Sequence, residues 1–217
     1  MSASLPNGAL LAIAATYGPA IPVTAVSNAK PAVATADAHG LLIGDVVSLV
    51  SGWTGLNGRA VKVAVSTEDT FSLGNIDTTD VIRYPAGGGI GSAKKVLTWQ
   101  QIQQVMNPTT SGGEQQFVQY QYLEDDDQRQ LPTFRNAQSF SMPIADDPNL
   151  PQWAVIEAAD QSKALQVIRL TLRNGSEVFY NGYVSVSDTP TLNVNEIMTR
   201  TLTIALDGRP VRYNPAP

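Results

Sequence analysis

The longest regular alternation of apolar and polar positions lies toward the C-terminal end. Among the even positions from 192 to 206, Leu192, Val194, Met198, Leu202, Ile204 and Leu206 are apolar, whereas the odd positions are mostly threonine and asparagine. A period of two sends successive side chains to opposite faces of a strand, so the run predicts one long strand with a dry and a wet face, ending at Asp207-Gly208. Upstream, Ile168, Leu170 and Leu172 alternate with Arg169, Thr171 and Arg173, and Asn174-Gly175 follows. That dipeptide suits a two-residue type I′ loop, whose central residues both take positive φ. The return strand is expected over residues 177–187. A strict two-residue register pairs Leu170 with Phe179 and leaves Val184 and Val186 facing away from Phe179. A one-residue bulge near Asn181-Gly182 would bring all three to one face.

The remaining pattern is read in chain order. Residues 1–8 are small, polar and Pro/Gly-bearing, as in a flexible arm. Residues 9–17 form an apolar run that predicts a buried strand ending at Gly18-Pro19. From about residue 21 to 96, β-branched runs of four to six residues alternate with turn clusters, the texture of a small all-β module. Its runs are 21–26, 32–36, 46–50, 60–65, 70–73, 81–84 and 91–96. Residues 99–105 suit a strand or a helical turn, and strand is favoured because 117–122 alternates as a pairing segment would. Residues 111–132 read as a long hairpin whose polar centre forms an acidic tip, and 135–143 as a further strand. One helix is expected over about residues 149–163, capped by Asp147 or Asn149, with Leu150, Trp153, Ala154 and Ile156 on its apolar side and Lys163 near its end. The fold class is therefore mainly β: an antiparallel β-sandwich or barrel with one flanking helix and an inserted small all-β domain. The division is residues 1–20 as arm and first strand, 21–96 as module, and 97–217 as the main β unit.

Composition narrows the function. The 217 residues carry 15% charged residues, below the usual quarter, as suits a subunit whose exterior contacts other subunits. A net charge of −5 argues against a basic nucleic-acid binder. With no cysteine and one histidine, disulfides, thiolate sites and multi-histidine zinc sites are excluded. The seven apolar residues 9–15 follow no basic leader and fall short of the about 20 that a membrane span requires.

Isolated motifs carry little chemistry. His39 lies in a turn before Gly40 with no G-x-S-x-G elsewhere, so it reads as a turn residue donating to a backbone carbonyl. The glycines from 87 to 91 are followed by strand-like residues, whereas a phosphate loop needs a helix start there. Glu124, Asp125, Asp126 and Asp127 lack the later glycine and glutamate of a calcium loop and read as a solvated tip. Asn174-Gly175-Ser176 is formally a glycosylation acceptor, for which the turn is sufficient explanation. No catalytic residue, metal site or cofactor is expected.

Two resemblances add to this. Asn174, Gly175, Val178, Phe179, Gly182, Val184 and Ser185, followed after a gap by Glu196, Ile197, Thr199, Arg200, Thr201, Gly208, Arg209 and Pro210, resemble in order and spacing the C-terminal half of the major tail tube proteins of long, flexible-tailed, lambda-like bacteriophages. His39, Gly40, Leu41, Gly44, Asp45, Val47, Gly52, Gly55, Leu56, Asn57, Gly58, Phe71 and Leu73 resemble a small β module found inserted in phage structural proteins. That module is named after the first catalytic-cysteine half-domain of ubiquitin-activating enzymes, and in a cysteine-free chain the resemblance implies the fold and not the chemistry. The first resemblance implies hexameric rings stacked into a tube that conducts DNA without binding it specifically. The implied place is the virion tail, after synthesis in the host cytoplasm, with no membrane. The implied partners are further copies of the chain and the tape measure, tail terminator and distal tail proteins. It also implies that the 111–132 hairpin joins rings, through Tyr120, Tyr122, Leu123, the four acids and Arg129. The module would then sit on the tube exterior. The rival is a monomeric β-rich receptor- or carbohydrate-binding module, which would cluster exposed aromatics, whereas Trp53, Trp99 and Trp153 are scattered along the chain.

Overall fold

Two long antiparallel strands, β1 (Leu10–Val23) and β7 (Gly91–Ile102), form the spine of a computed structural model that describes residues 7–214. The arm expected at residues 1–8 falls largely outside the described residues. Between the spine strands run β2 (Ala25–Val26), β3 (Ala32–Thr35), β4 (Val46–Ser51), β5 (Ala60–Ser66) and β6 (Thr70–Leu73). After them come β8 (Thr109–Gly112), β9 (Gln115–Tyr120), β10 (Arg129–Arg135), β11 (Gln138–Ala145), α1 (Gln152–Ser162), β12 (Gln166–Thr171), β13 (Glu177–Val186), β14 (Thr199–Leu206) and β15 (Val211–Tyr213). The protein is mainly β with one helix. Its thirteen-stranded antiparallel sheet curls in the order β2-β3-β6-β5-β4-β7-β1-β12-β13-β14-β11-β8, with β15 added beside β13, and β9–β10 stand apart as a two-stranded ribbon.

Alternation sorts the core. On one face, Ile13 of β1, Ile168 of β12, Val184 and Val186 of β13, Leu202 and Ile204 of β14 and Met142 and Ile144 of β11 meet Trp153, Ile156 and Ala159 of α1. On the other face, Ala14, Val167 and Phe179 meet Val46, Ala60 and Val96. A third cluster gathers Val23, Val47, Leu49, Trp53, Leu56, Val61, Phe71 and Leu73, joined by Val211 of β15. Strand β13 is therefore buried on both sides, and Phe179 and Val184 occupy opposite faces. No bulge near Asn181-Gly182 unites them.

The turn explains that difference. Thr171 pairs with Glu177 and Leu170 with Val178, a register shifted by one from the expected Leu170–Phe179 pairing. The Gly175 N–H donates to the Leu172 carbonyl at 2.9 Å, the Leu172 N–H donates to the Ser176 carbonyl at 2.8 Å, and Gly175 takes φ 80°. This is a three-residue loop whose last residue is left-handed, a geometry that needs one glycine rather than two positive-φ residues. The Asn174 side chain instead accepts the Ser176 N–H at 3.0 Å.

Other boundaries moved for identifiable reasons. β1 runs through Gly18-Pro19 to Val23 because register shifts between Ala14 and Ala20 take Pro19 out of the regular ladder. β7 is one strand across residues 91–102 rather than two. β9 pairs with β10, not with residues 99–105. Residues 81–84 form a turn held by Asp80, whose side chain accepts the Ile82 N–H at 3.0 Å, and Tyr84 is buried there. The helix starts after Pro151 with no side-chain cap, since Asp147 accepts from Asn149 instead, and Lys163 ends it at φ 49°. The last strand covers Thr199–Leu206, not 192–206, because β11 ends at Ala145 opposite Thr199 and leaves the earlier residues nothing to pair with. His39 is buried, and its Nδ1 accepts the Leu41 N–H at 3.0 Å rather than donating.

Candidate assembly surfaces

The β9–β10 ribbon carries apolar residues without a core beneath them. Phe117 and Val118 face Pro132 and Leu131 across the ladder, and with Phe134 they remain exposed. A lone hairpin is marginally stable in water, so such a ribbon gains from a surface to lie on. At its tip Tyr120 and Tyr122 meet edge to face at 5.3 Å, and Leu123 is fully exposed. Arg129 donates from Nη2 to Asp125 Oδ1 at 3.1 Å, and Gln121 donates to the Asp125 carbonyl at 2.8 Å. Glu124, Asp126 and Asp127 point into solvent. The structure thus brings the aromatic pair and the Asp125–Arg129 pair together, and leaves three acids free at the tip among the described residues.

The other residues singled out by sequence mostly build the fold. Phe179 is enclosed between Trp99 and Tyr213, with ring centroids at 6.2 and 5.7 Å. At Gly182 an added Cβ would lie 2.6 Å from the Ala205 carbonyl oxygen, so glycine lets β14 approach. Thr199 is buried, with its hydroxyl 3.1 Å from that of Thr191, and Glu196 accepts from Asn193 at 2.8 Å. Arg200 bonds Glu157 at 2.9 Å and the Ser187 carbonyl at 2.9 Å while lying over the Trp153 ring. Gly208 turns the chain at φ 86°, and Arg209 is exposed beside the base of the ribbon. Four arginines, Arg169, Arg173, Arg200 and Arg209, are candidates for a basic surface facing the acidic tip; of these four, Arg169 is spent on the Trp99 ring at 4.4 Å and Arg200 on Glu157, which leaves Arg173 and Arg209.

Three features escaped sequence reasoning. Gln152, buried at the start of α1, donates to the Gln103 carbonyl and accepts the Gln103 N–H, closing the end of β7. Tyr213 accepts the Lys62 N–H at 2.9 Å and donates to the Gly74 carbonyl at 2.6 Å, binding the C-terminal strand to β5 and the turn after β6. Burial pushes its hydroxyl up to about 12. A groove of about 780 Å³, lined by Leu11, Val105, Phe140, Leu170, Leu172 and Tyr180 among others, opens where α1 leaves its sheet face uncovered. Each depends on residues far apart in sequence, so no local pattern announces it. Among the described residues, the strand order ends at β2 on one side and at β8 on the other.

Among the described residues, no group of three or more acidic or histidine side chains is placed to hold a metal ion. Nor is any helix there long and apolar enough to cross a membrane.

A family model described as phage tail tube protein, TTP, matches residues 51–215. Similar solved structures include a chain of the anti-feeding prophage baseplate, six-fold symmetrised, with TM-score 0.39 and 10% identity over 55% of this chain and 86% of that one. Another is a chain of the anti-feeding prophage cap, described as the tube terminating cap, with TM-score 0.36 and 16% identity over 49% of this chain and 79% of that one. No curated protein matches.

Proposed function

The chain belongs to the phage tail tube protein family, as a structural component of the virion tail, and on that premise we propose that it is the tube subunit of a long, flexible, lambda-like tail. Six copies close into a ring, rings stack, and the resulting conduit carries DNA into the host. The observation that carries this reading is the family match over residues 51–215. It is supported by the edge at β8, which a closed ring would pair with a neighbour. It is also supported by the exposed β9–β10 ribbon, which suits a connection from one ring to the next. The net charge of −5 would keep DNA phosphates from adhering during passage. The role is mechanical and calls for no catalysis or cofactor. Synthesis in the host cytoplasm and contact with tape measure, terminator and distal tail proteins follow from the same reading.

Negative-stain microscopy of the purified protein tests it. Rings or tubes are the expected result. Featureless small particles at every concentration would favour a monomeric β-rich binding module instead.

A further inference from the structure

The β9–β10 ribbon has an acidic end and a basic end. At its tip Glu124, Asp126 and Asp127 are exposed, while Arg129 is already bonded to Asp125. At its base lies a depression of about 440 Å³, lined by Arg135 and Arg209, by the apolar Phe134, Ala137 and Leu206, and otherwise by glycines and uncharged polar residues. Both arginines are exposed, and among the described residues neither is ion-paired. Glu114 accepts from Asn136 at 3.5 Å, and neither it nor Asp207 lines the depression. The positive field extends to Arg59, whose guanidinium is lowered first by burial and further by the Arg83 and Arg209 charges, against the opposing effect of Tyr84 and Tyr213.

The ladder holds the two ends apart. Arg135 pairs with Gln115 and Arg129 with Tyr120, so about five residue steps of about 3.4 Å, roughly 17 Å in all, separate the base from the start of the tip loop. The tip therefore cannot fill the depression of its own subunit. Its chemistry nevertheless matches that depression twice. Leu123, fully exposed, suits the Phe134, Ala137 and Leu206 walls, and the acids that follow it suit the two guanidinium groups, each able to hold a carboxylate through parallel N–H donors. The larger groove beside Leu11 and Leu170 has no charged residue in its lining and would strip water from the acids without a counter-charge.

We infer that the ribbon tip of one copy, residues 123–127, seats in the Arg135–Arg209 depression at the ribbon base of the next. Opposite charges at the two ends of one projection also reject misregistered copies, in which like charges would meet. The contact rests on the tube reading, which requires it to repeat from copy to copy, whereas two ribbons lying antiparallel would satisfy each other and stop at a pair.

Charge exchange in the full-length chain tests the contact. Glu124→Arg/Asp126→Arg/Asp127→Arg and, separately, Arg135→Glu/Arg209→Glu alter only exposed side chains, so each should keep the wild-type circular dichroism and lose pelletable tubes. The chain carrying all five substitutions restores opposite signs and should regain them. Because the chain has no cysteine, Leu123→Cys/Ala137→Cys oxidised after assembly should give a ladder of covalent multimers on non-reducing gels, with each single variant stopping at a dimer or below. Where the wild type forms tubes, normal tubes from either reversal, dispersed subunits from the five-substitution chain, or no multimer beyond a dimer from the cysteine pair would overturn the contact alone. Failure of the wild-type chain to assemble would overturn the tube reading and the contact with it.

Discussion

The Tyr213 hydroxyl holds β15 against β5 and the turn after β6 through one accepted and one donated hydrogen bond. Removing it by Tyr213→Phe leaves the Lys62 N–H and the Gly74 carbonyl without that partner, which should cost about 1–3 kcal/mol at neutral pH in urea unfolding. The pH dependence separates this from loss of packing. Burial raises the hydroxyl from its ordinary 10.0 to about 12, so the folded state retains a proton that the unfolded chain releases first. Its contribution is therefore complete below pH 10 and is lost as pH rises toward 12, by about 2 to 3 kcal/mol across that window. The wild type should lose this much more than the phenylalanine variant between pH 9 and 12, and parallel curves would refute the assignment. A second residue acts through space it leaves empty. At Gly182 a methyl group would meet the Ala205 carbonyl oxygen at 2.6 Å and Ile204 Cγ2 at 2.7 Å, so β14 must shift. Gly182→Ala should destabilise by about 1–3 kcal/mol, and each of these lowers the melting temperature by about 2–4 °C in a domain of this size.

At the scale of elements, the β9–β10 ribbon is where folding and assembly separate most cleanly. Its tip touches little else in the subunit, so Glu124, Asp125, Asp126 and Asp127 can be replaced together by lysine with circular dichroism unchanged. Stacking of rings should then fail, because the tip would repel the arginines left free, Arg173 and Arg209, as candidate contacts. Tubes of normal length from this variant would show that the ribbon does not join rings electrostatically. The ribbon was legible in sequence because its acidic centre is too polar for a buried strand. The helix was legible from Trp153 and Ile156, and most module strands from their β-branched runs. What sequence missed were facts about partners. Leu192 and Val194 continue the alternation of Leu202 and Ile204 in phase, yet a strand needs a neighbour, and β11 has already ended at Ala145. Asn174-Gly175 marked the turn but not its length, since one left-handed glycine serves a three-residue loop as well as two such residues serve a shorter one. The groove drew on β1, β7, β8, β11, β12 and β13 at once, which no single stretch encodes.

At the scale of the whole molecule, the question is whether residues 21–96 are an appendage or part of the wall. In favour of an appendage, the block has its own core around Trp53, Val61, Phe71 and Leu73. Its two ends also lie side by side, since Tyr17 pairs with Val96 and Ile21 with Ala93. An insertion with adjacent ends can be removed without stretching what remains. Against it stand the β1–β7 pairing of Tyr17 and Ala20 with Val96 and Lys94, the docking of Val211 and Tyr213 on the block, and a family match that begins at residue 51. Pairing and docking are costs of removal rather than signs of function. Excision uncovers the β1 edge at Tyr17 and Ala20 that faced Val96 and Lys94, the side chain of Val211 and the bonds of Tyr213, a loss of several kcal/mol at about 25 cal/mol per Å² of apolar surface, plus the hydrogen bonds. We propose that the block lies on the tube exterior, and its replacement by a short Gly/Ser linker should lower the melting temperature while tubes still form. Pairing this variant with Val211→Ser/Tyr213→Thr, which suits the newly exposed surface to water, guards against simple aggregation. If either shortened chain keeps its circular dichroism and yields only dispersed subunits under conditions where the full chain forms tubes, residues 21–96 belong to the wall.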